Sequence, residues 1–172
     1  QFNRVVLQLF SYPGPTAVAV EGHAVAGGCL LCLACDIRIM ATGPARLGLA
    51  ELNLGVPVPA SCVRLMTARL SPRAAQEVLF GGDGWTAEGA LELGLVTGVA
   101  RRGRAAADAE ATLRTVAAKP RHAFSHSKRF LHGSAWDDMA ATAPAAEAAF
   151  LDAWFDEETR ARVHEVVQNL SR

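Results

Sequence analysis

The sequence predicts an α/β fold that continues into a helical region, and three observations support that prediction. Apolar runs of strand length occur at residues 16–20 and 95–100, each bounded by turn residues. Glycine pairs and capping residues separate these runs from helical patterns. Beyond a basic, polar break at residues 101–104, the patterns are helical to the end of the chain. We therefore predict an α/β core in residues 1–100 and a helical region in residues 101–172.

Each element of the core has its own local signal. Apolar residues at helical spacing predict a helix at residues 2–10, which the Tyr12-Pro13-Gly14-Pro15 segment ends. The run at residues 16–20 is too short for a helix and predicts a buried strand. Ser71 before Pro72, and Thr86 before Ala87, are typical of helix N-termini. The remaining signals predict a turn at residues 21–23, an apolar helix at 29–35, a strand at 35–39, helices at 60–70, 72–81 and 86–93, and a strand at 95–100.

The helical region is predicted to hold three or four helices. Their expected positions are residues 105–118, 121–132, a segment leading to Phe155, and 157–170. Phe150, Leu151, Trp154 and Phe155 form the most apolar aromatic cluster of the chain. We interpret this cluster either as intramolecular core or as a subunit interface or wall of a ligand pocket.

Composition excludes several classes of protein. The 172 residues carry a formal net charge of zero, so nothing favours binding to nucleic acid. No apolar run reaches the roughly 18 residues that a membrane span needs. The four cysteines have no paired spacing and are interpreted as reduced thiols. We therefore expect a cytoplasmic protein without membrane contact.

The segment from residue 15 to residue 55 predicts a site. A short strand is followed by small residues that end in Gly27-Gly28, and then by an apolar helix. A helix that starts directly after glycines presents free N–H groups and the positive end of its dipole, which suits an oxygen that acquires negative charge. A second strand-like run then leads to Glu51, a carboxylate among leucines. Without this context, Glu51 would be interpreted as a solvated surface residue.

Three motifs of this segment resemble those of one family. They are Ala26-Gly27-Gly28-Cys29, then Cys35-Asp36-Ile37-Arg38-Ile39, and then the Gly48-Leu49-Ala50-Glu51 turn that ends at Gly55. The chain resembles the crotonase, or enoyl-CoA hydratase/isomerase, superfamily and is most similar to its Δ3,Δ2-enoyl-CoA isomerases. The resemblance implies a crotonase-like spiral of β-β-α turns, a C-terminal helical trimerisation region, and a homotrimer or hexamer.

The resemblance also implies the chemistry. A coenzyme A thioester would place its carbonyl oxygen at the N–H of Gly27. The substrate would contact Gly27, Leu30 and Ala50, and no metal or cofactor other than the coenzyme A of the substrate is expected. The second oxyanion donor belongs to an N-terminal part of the family domain that this sequence does not contain. The polypeptide is therefore interpreted as a fragment or as a chain that a second chain completes.

Leu30 decides which reaction the resemblance favours. Hydratases of the family have a glutamate at this position and a second one where Glu51 lies, because adding water requires an activated water and a proton donor. A single base can still move a double bond through an enolate, so Glu51 is predicted to catalyse 3-enoyl-CoA to 2-enoyl-CoA isomerisation. Leu49, Leu52 and Leu54 are expected to desolvate it. Hydration or decarboxylation, or a non-catalytic thioester-binding or assembly subunit, remain as alternatives.

Two further features have competing interpretations. Cys29, Cys32 and Cys35, with Cys62 further on, could indicate an iron–sulfur site, but the spacing is incomplete and buried cysteines pack as small hydrophobes. Lys128 could face the phosphates of coenzyme A, as the resemblance implies, or could lie on a solvated helix face. Neither feature is assigned to the site.

Overall fold

The fold is seen in a computed structural model, which describes residues 1–82 and 84–170, and for residues 169 and 170 only the backbone. The last two positions of the predicted helical region therefore lie outside the described residues. The strands are β1 (Ala17–Val20), β2 (Ala24–Val25), β3 (Ile37–Ala41), β4 (Leu47–Gly48) and β5 (Gly98–Ala100). The helices are α1 (Phe2–Phe10), α2 (Gly27–Ala34), α3 (Ala60–Arg69), α4 (Pro72–Gly81), α5 (Ala87–Glu92), α6 (Ala105–Ala117), α7 (Arg121–Trp154) and α8 (Glu157–Leu170).

The strands form two parallel sheets. In the larger sheet the order is β1-β3-β5, so β3 is central, with Ala19 opposite Ile39 and Ile39 opposite Gly98. In the smaller sheet β2 pairs with β4, with Ala24 opposite Leu47. Parallel strands place their carboxyl ends at the same edge of a sheet. The residues that follow β2 and β4 are therefore brought together, although they are far apart in the sequence.

The larger sheet is covered on both faces, which explains the apolar sequence of β3. Side chains alternate between the two faces of a strand. Ile37 and Ile39 pack with Ala105 and Ala109 of α6 on one face. Met40 faces the main core, which also contains Phe10, Leu33, Leu65 and Leu95. Parallel sheets of this kind are usually buried on both faces.

The predicted helix starts are confirmed. The hydroxyl of Ser71 accepts a hydrogen bond from the N–H of Ala74 at 3.2 Å, and Pro72 is the first residue of α4. Thr86 accepts from the N–H of Gly89 at 3.3 Å at the start of α5. The strands β1 and β5 are shorter than the strands predicted at residues 16–20 and 95–100, because only Ala17–Val20 and Gly98–Ala100 pair with β3.

The C-terminal region differs from the sequence prediction in one respect. The helix predicted to stop near residue 132 and the segment after it form a single 34-residue helix, α7, which continues past Pro144. Buried side chains on this helix, among them Trp136 and Met139, pack into the main core, and this packing holds the helix together where local propensity would end it. The division at residue 100 stays a prediction, although α6 packs directly on the larger sheet.

In the part of the chain that the structure describes, no helix is both long enough and apolar enough to cross a bilayer.

Candidate active site

A cavity of about 460 Å³ lies where β2 and β4 end. Its walls come from α1, the first turn of α2, the segment after β4, the start of α3 and the second half of α7. Gly27, Leu30 and Glu51, which the sequence singled out, all line it. The apolar part of the wall consists of Phe2, Leu30, Leu54, Val56, Pro59, Phe150, Leu151 and Trp154. The shape and lining suit a ligand with an apolar chain.

Glu51 is held in place by the turn that it begins. It precedes a 3-10 helix at Leu52–Leu54, and its backbone oxygen accepts hydrogen bonds from Leu54 at 3.1 Å and Val56 at 2.9 Å. One carboxylate oxygen, Oε2, accepts a hydrogen bond from the N–H of Ala50 at 2.9 Å. Only 8% of Glu51 is exposed, and the turn presents the residue to the cavity rather than to solvent.

Burial raises the pKa of Glu51 above the ordinary glutamate value, although the backbone N–H groups of Glu51 and Ala50 act in the opposite direction. A carboxylate with a raised pKa is a stronger base than an exposed one, and it takes a proton from carbon more readily. The leucines expected to desolvate Glu51 contribute unequally. Leu49 is buried and Leu54 lines the cavity, but the expectation for Leu52 was wrong, because the 3-10 turn directs it outward and leaves it 42% exposed.

The first turn of α2 forms another part of the cavity wall. Ala26 precedes the helix with φ 52° and ψ −121°, a conformation that residues with a side chain rarely adopt. Its carbonyl accepts from Cys29 at 2.9 Å and from Leu30 at 3.2 Å, so Gly27 and Gly28 precede the first donors of the helix. The N–H groups at this end of a helix carry partial positive charge. A side chain at Gly27 would bring its Cβ to 3.0 Å from the ring of Phe2, so a larger residue here would have to displace that ring.

The family follows from a comparison with known proteins. The profile of the enoyl-CoA hydratase/isomerase family matches residues 1–168. The chain belongs to this family. The prediction made from the motifs around Gly27 and Glu51 is thereby confirmed, and so is the crotonase-like fold with a C-terminal helical region.

Individual relatives support the same assignment. A curated protein of Thermus thermophilus named putative enoyl-CoA hydratase is 40% identical over 114 residues, which are 66% of this chain and 44% of that protein. The crystal structure of an enoyl-CoA hydratase from Mycobacterium ulcerans matches with 25% identity and a TM-score of 0.79, over 87% of this chain and 65% of its own. Human mitochondrial Δ3-Δ2-enoyl-CoA isomerase shares the fold, with 23% identity and a TM-score of 0.89, over 99% of this chain and 66% of its own. The chain thus spans less than two thirds of the length of each of these relatives.

Ala50 differs from the other predicted site residues. It does not line the cavity, and its backbone N–H instead contacts the carboxylate of Glu51. In this enoyl-CoA hydratase/isomerase family member, Ala50 therefore supports the candidate base.

Two polar residues on the helices of the cavity wall were missed by the sequence analysis. Glu147, on α7, adds a second carboxylate to the wall, and Asn3, on α1, accepts a hydrogen bond from the thiol of Cys62 at 3.6 Å. Glu147 is about half exposed, and its Oε1 lies 3.5 Å from the amino group of Gln1. Neither residue has a sequence signal near the glycine motif, because α1 and α7 reach the cavity only through tertiary packing.

Both interpretations of Lys128 were wrong. Its Nζ lies 2.7 Å from Oδ2 of Asp36, and the lysine side chain is 3% exposed. Arg69 contributes a second cation, whose Nη2 lies 3.0 Å from Oδ1 of Asp36. Thr16 adds hydrogen bonds to Oδ2 from its N–H and its hydroxyl, both at 3.0 Å. Lys128 therefore joins α7 to the end of α2 inside the protein.

The cysteines are packing residues in this structure. Cys29, Cys32, Cys35 and Cys62 are all buried and free. Burial raises the pKa of each thiol, to about 12 for Cys32 and about 11 for Cys62. Among the described residues, no group of three or more histidine, cysteine, aspartate and glutamate side chains could hold a metal ion. The iron–sulfur interpretation therefore gains no support.

Proposed function

We propose that this protein moves a carbon–carbon double bond in an enoyl-CoA thioester, from the 3 position to the 2 position. The observation that carries the proposal is the arrangement of one buried carboxylate, Glu51, and the N-terminal turn of α2 at Gly27 on a single cavity. Leu30, in the same wall, can neither orient nor deprotonate water. Moving the double bond through an enolate needs one base and one group of donors that stabilises the negative charge on the thioester oxygen.

The reaction balances with these groups alone. Glu51 takes a proton from C2 of the 3-enoyl thioester, and the electron pair spreads over the diene to the thioester oxygen. The N–H of Gly27 donates to that oxygen and stabilises the enolate charge. Glu51 then returns its proton to C4, which leaves the double bond between C2 and C3. No water, metal or redox partner takes part, and the only coenzyme is the coenzyme A of the substrate.

In this proposal, the acyl chain of the substrate lies against the apolar part of the cavity wall. Phe150 and Trp154 stack with their ring centroids 6.0 Å apart and an interplanar angle of 15°, and Leu151 lies beside them on the wall. This supports the interpretation of the aromatic cluster as a pocket wall. Phe155, in contrast, is 66% exposed and does not line the cavity. The wider proposal is a cytoplasmic homotrimer or hexamer that binds neither nucleic acid nor membranes.

Hydration is the second candidate, because Glu147 provides another carboxylate in the same cavity. It would have to replace the glutamate that hydratases carry where this chain has Leu30. The relative from Thermus thermophilus is named a putative hydratase, which supports keeping this candidate. Decarboxylation and a non-catalytic thioester-binding role have no observation of their own in their favour.

The test is a pair of assays on the purified protein. With 3-enoyl-CoA, the proposal expects 2-enoyl-CoA as product, and with 2-enoyl-CoA it expects no 3-hydroxyacyl-CoA. The Glu147→Gln variant is expected to retain isomerisation. If the protein forms 3-hydroxyacyl-CoA and Glu147→Gln abolishes this, hydration replaces isomerisation. If thioester binds with no turnover in either direction, a binding role replaces both.

A further inference from the structure

We propose that α8 acts as a positioning element for the candidate base, through a contact between Thr159 and the turn that carries Glu51. This inference rests on the proposed function. It assigns α8 a part in the chain's own active site, whereas the resemblance implies only a role in assembly for the C-terminal helices. Thr159 does not line the cavity and acts through the backbone of the turn.

The contact joins α8 to Gly55. The hydroxyl of Thr159 donates a hydrogen bond to the backbone oxygen of Gly55 at 3.3 Å. Thr159 is 3% exposed, although its neighbours Glu158 and Arg160 are exposed. A buried hydroxyl without a hydrogen-bond partner would destabilise the fold. The bond to Gly55 therefore explains how a threonine hydroxyl can be buried at this position.

Gly55 is shaped for close approach by α8. Its φ of 78° lies in the left-handed region, which glycine adopts without strain. A Cβ at this position would lie 3.1 Å from the hydroxyl oxygen of Thr159 and 3.6 Å from Cδ of Arg162. The absence of a side chain therefore allows the first turns of α8 to rest on the backbone of the turn.

The hydrogen bonds of the turn connect this contact to Glu51. The N–H of Gly55 donates to Leu52 at 3.1 Å, and the N–H of Val56 donates to the carbonyl of Glu51 at 2.9 Å. On the other side, the side-chain amide of Asn53 donates to the carbonyl of Gly82 at 2.8 Å. The turn is thus held from two sides, and Thr159 supplies the support on the C-terminal side.

Removing that support should change catalysis more than binding. A displacement of about 1 Å at a catalytic group can reduce the rate about a hundredfold. In the proposed function, however, the acyl chain packs mainly against α7, whereas the hydroxyl of Thr159 bonds to Gly55. We therefore expect an effect on kcat with little effect on KM.

The experiment compares Thr159→Val with Thr159→Ser in the full chain. Valine keeps the shape and removes the hydroxyl, whereas serine keeps the hydroxyl. We expect Thr159→Val to lower kcat for 3-enoyl-CoA isomerisation about tenfold to a hundredfold with KM changed less than about twofold, and Thr159→Ser to keep at least half of kcat. Hydrogen exchange of the Val56 amide should be faster in Thr159→Val and unchanged in Thr159→Ser.

The two readouts separate failure of the inference from failure of the proposed function. If the parent protein is active and Thr159→Val keeps its kcat, the positioning role is wrong. Equal exchange of the Val56 amide in parent and Thr159→Val also overturns it, whether or not the parent turns over. If the parent forms no 2-enoyl-CoA while the exchange result is as expected, the contact holds and the proposed reaction fails. Circular dichroism of each variant checks that the fold is retained.

Discussion

The ammonium group of Lys128 lies 2.7 Å from the carboxylate of Asp36, and both residues are largely enclosed by protein. Burial alone would raise the pKa of Asp36, but the hydrogen bonds from Lys128 and Arg69 outweigh it and hold the pKa below the ordinary aspartate value. The carboxylate is therefore charged at neutral pH and needs its partners. Because Asp36 follows α2 and Lys128 lies on α7, the pair joins the glycine-motif helix to the C-terminal region.

Removal of the Lys128 charge should destabilise the protein strongly. We expect Lys128→Met to lower the free energy of unfolding at pH 7 by about 3–5 kcal/mol, because it leaves part of a buried charge without its partner. Urea unfolding measures this change. Arg114→Met is the matched control, since Arg114 pairs with Glu110 on the exposed surface of α6. An exposed pair contributes less than about 1 kcal/mol. Equal losses in the two variants would contradict the structural role of Lys128.

His132 predicts a pH dependence of stability. Burial, with Arg69 nearby, lowers its pKa from 6.5 to about 4. The ring lies 5.0 Å from that of Phe10, and its Nε2 must accept from Arg69, because arginine can only donate. Because the unfolded chain binds this proton more readily, stability is fully present above pH 6.5 and is lost as the pH falls toward 4.

The size of this loss is at most about 3.5 kcal/mol, from about 1.4 kcal/mol for each unit of pKa. Unfolding free energies measured at several pH values from neutral down to acidic should therefore fall more steeply for the parent than for His132→Gln. Parallel curves for the two proteins would show that His132 titrates normally in the folded state.

The arrangement of the candidate site could be predicted from the sequence because its parts are local. Gly27 comes two residues after the end of β2, and Glu51 comes three residues after the end of β4, so one parallel pair brings both to the same edge. Glycine pairs, capping residues and the apolar helix between them are all visible within a short stretch. The burial of the turn at Glu51 was predicted less well. The direction of the Leu52 side chain depends on the 3-10 helix at Leu52–Leu54, which the spacing of apolar residues in the sequence does not indicate.

The contribution of α7 could not be predicted in the same way. Glu147 and Trp154 reach the cavity only because α7 is one continuous helix, whereas the sequence predicted a helix over residues 121–132 and a separate segment after it. Lys128 was misplaced for a related reason. Its partner Asp36 is 92 positions away, and no local pattern distinguishes a buried lysine from one on a solvated face.

The part of the cavity wall formed by Phe150, Leu151 and Trp154, against which the acyl chain is proposed to lie, predicts a change of substrate preference. Trp154→Ala should enlarge the cavity and raise the kcat/KM ratio for twelve-carbon over six-carbon 3-enoyl-CoA about tenfold, the effect expected from changing a few methylene contacts. The comparison of kcat/KM for the two substrates measures it. Phe155→Ala is the control, because Phe155 is adjacent in sequence but lies outside the cavity. A similar ratio in Trp154→Ala and the parent would place the acyl chain elsewhere.

The buried cysteines predict slow thiol chemistry. Because burial raises the pKa of all four thiols, the reactive thiolate is scarce at neutral pH. We expect less than one thiol to react with an aromatic disulfide reagent in the native protein over several minutes, and four to react after unfolding. Rapid native labelling of one cysteine, or iron in a coloured preparation, would show that these residues do more than pack.

The measurement that tests the central claim most directly is the isomerisation rate of Glu51→Gln. Glutamine keeps the size of the side chain and its place in the turn but cannot accept the C2 proton. The account predicts that conversion of 3-enoyl-CoA to 2-enoyl-CoA falls by about 10²–10⁴-fold while binding of the thioester changes little. Isomerisation by Glu51→Gln at the rate of the parent protein would contradict the assignment of Glu51 as the base.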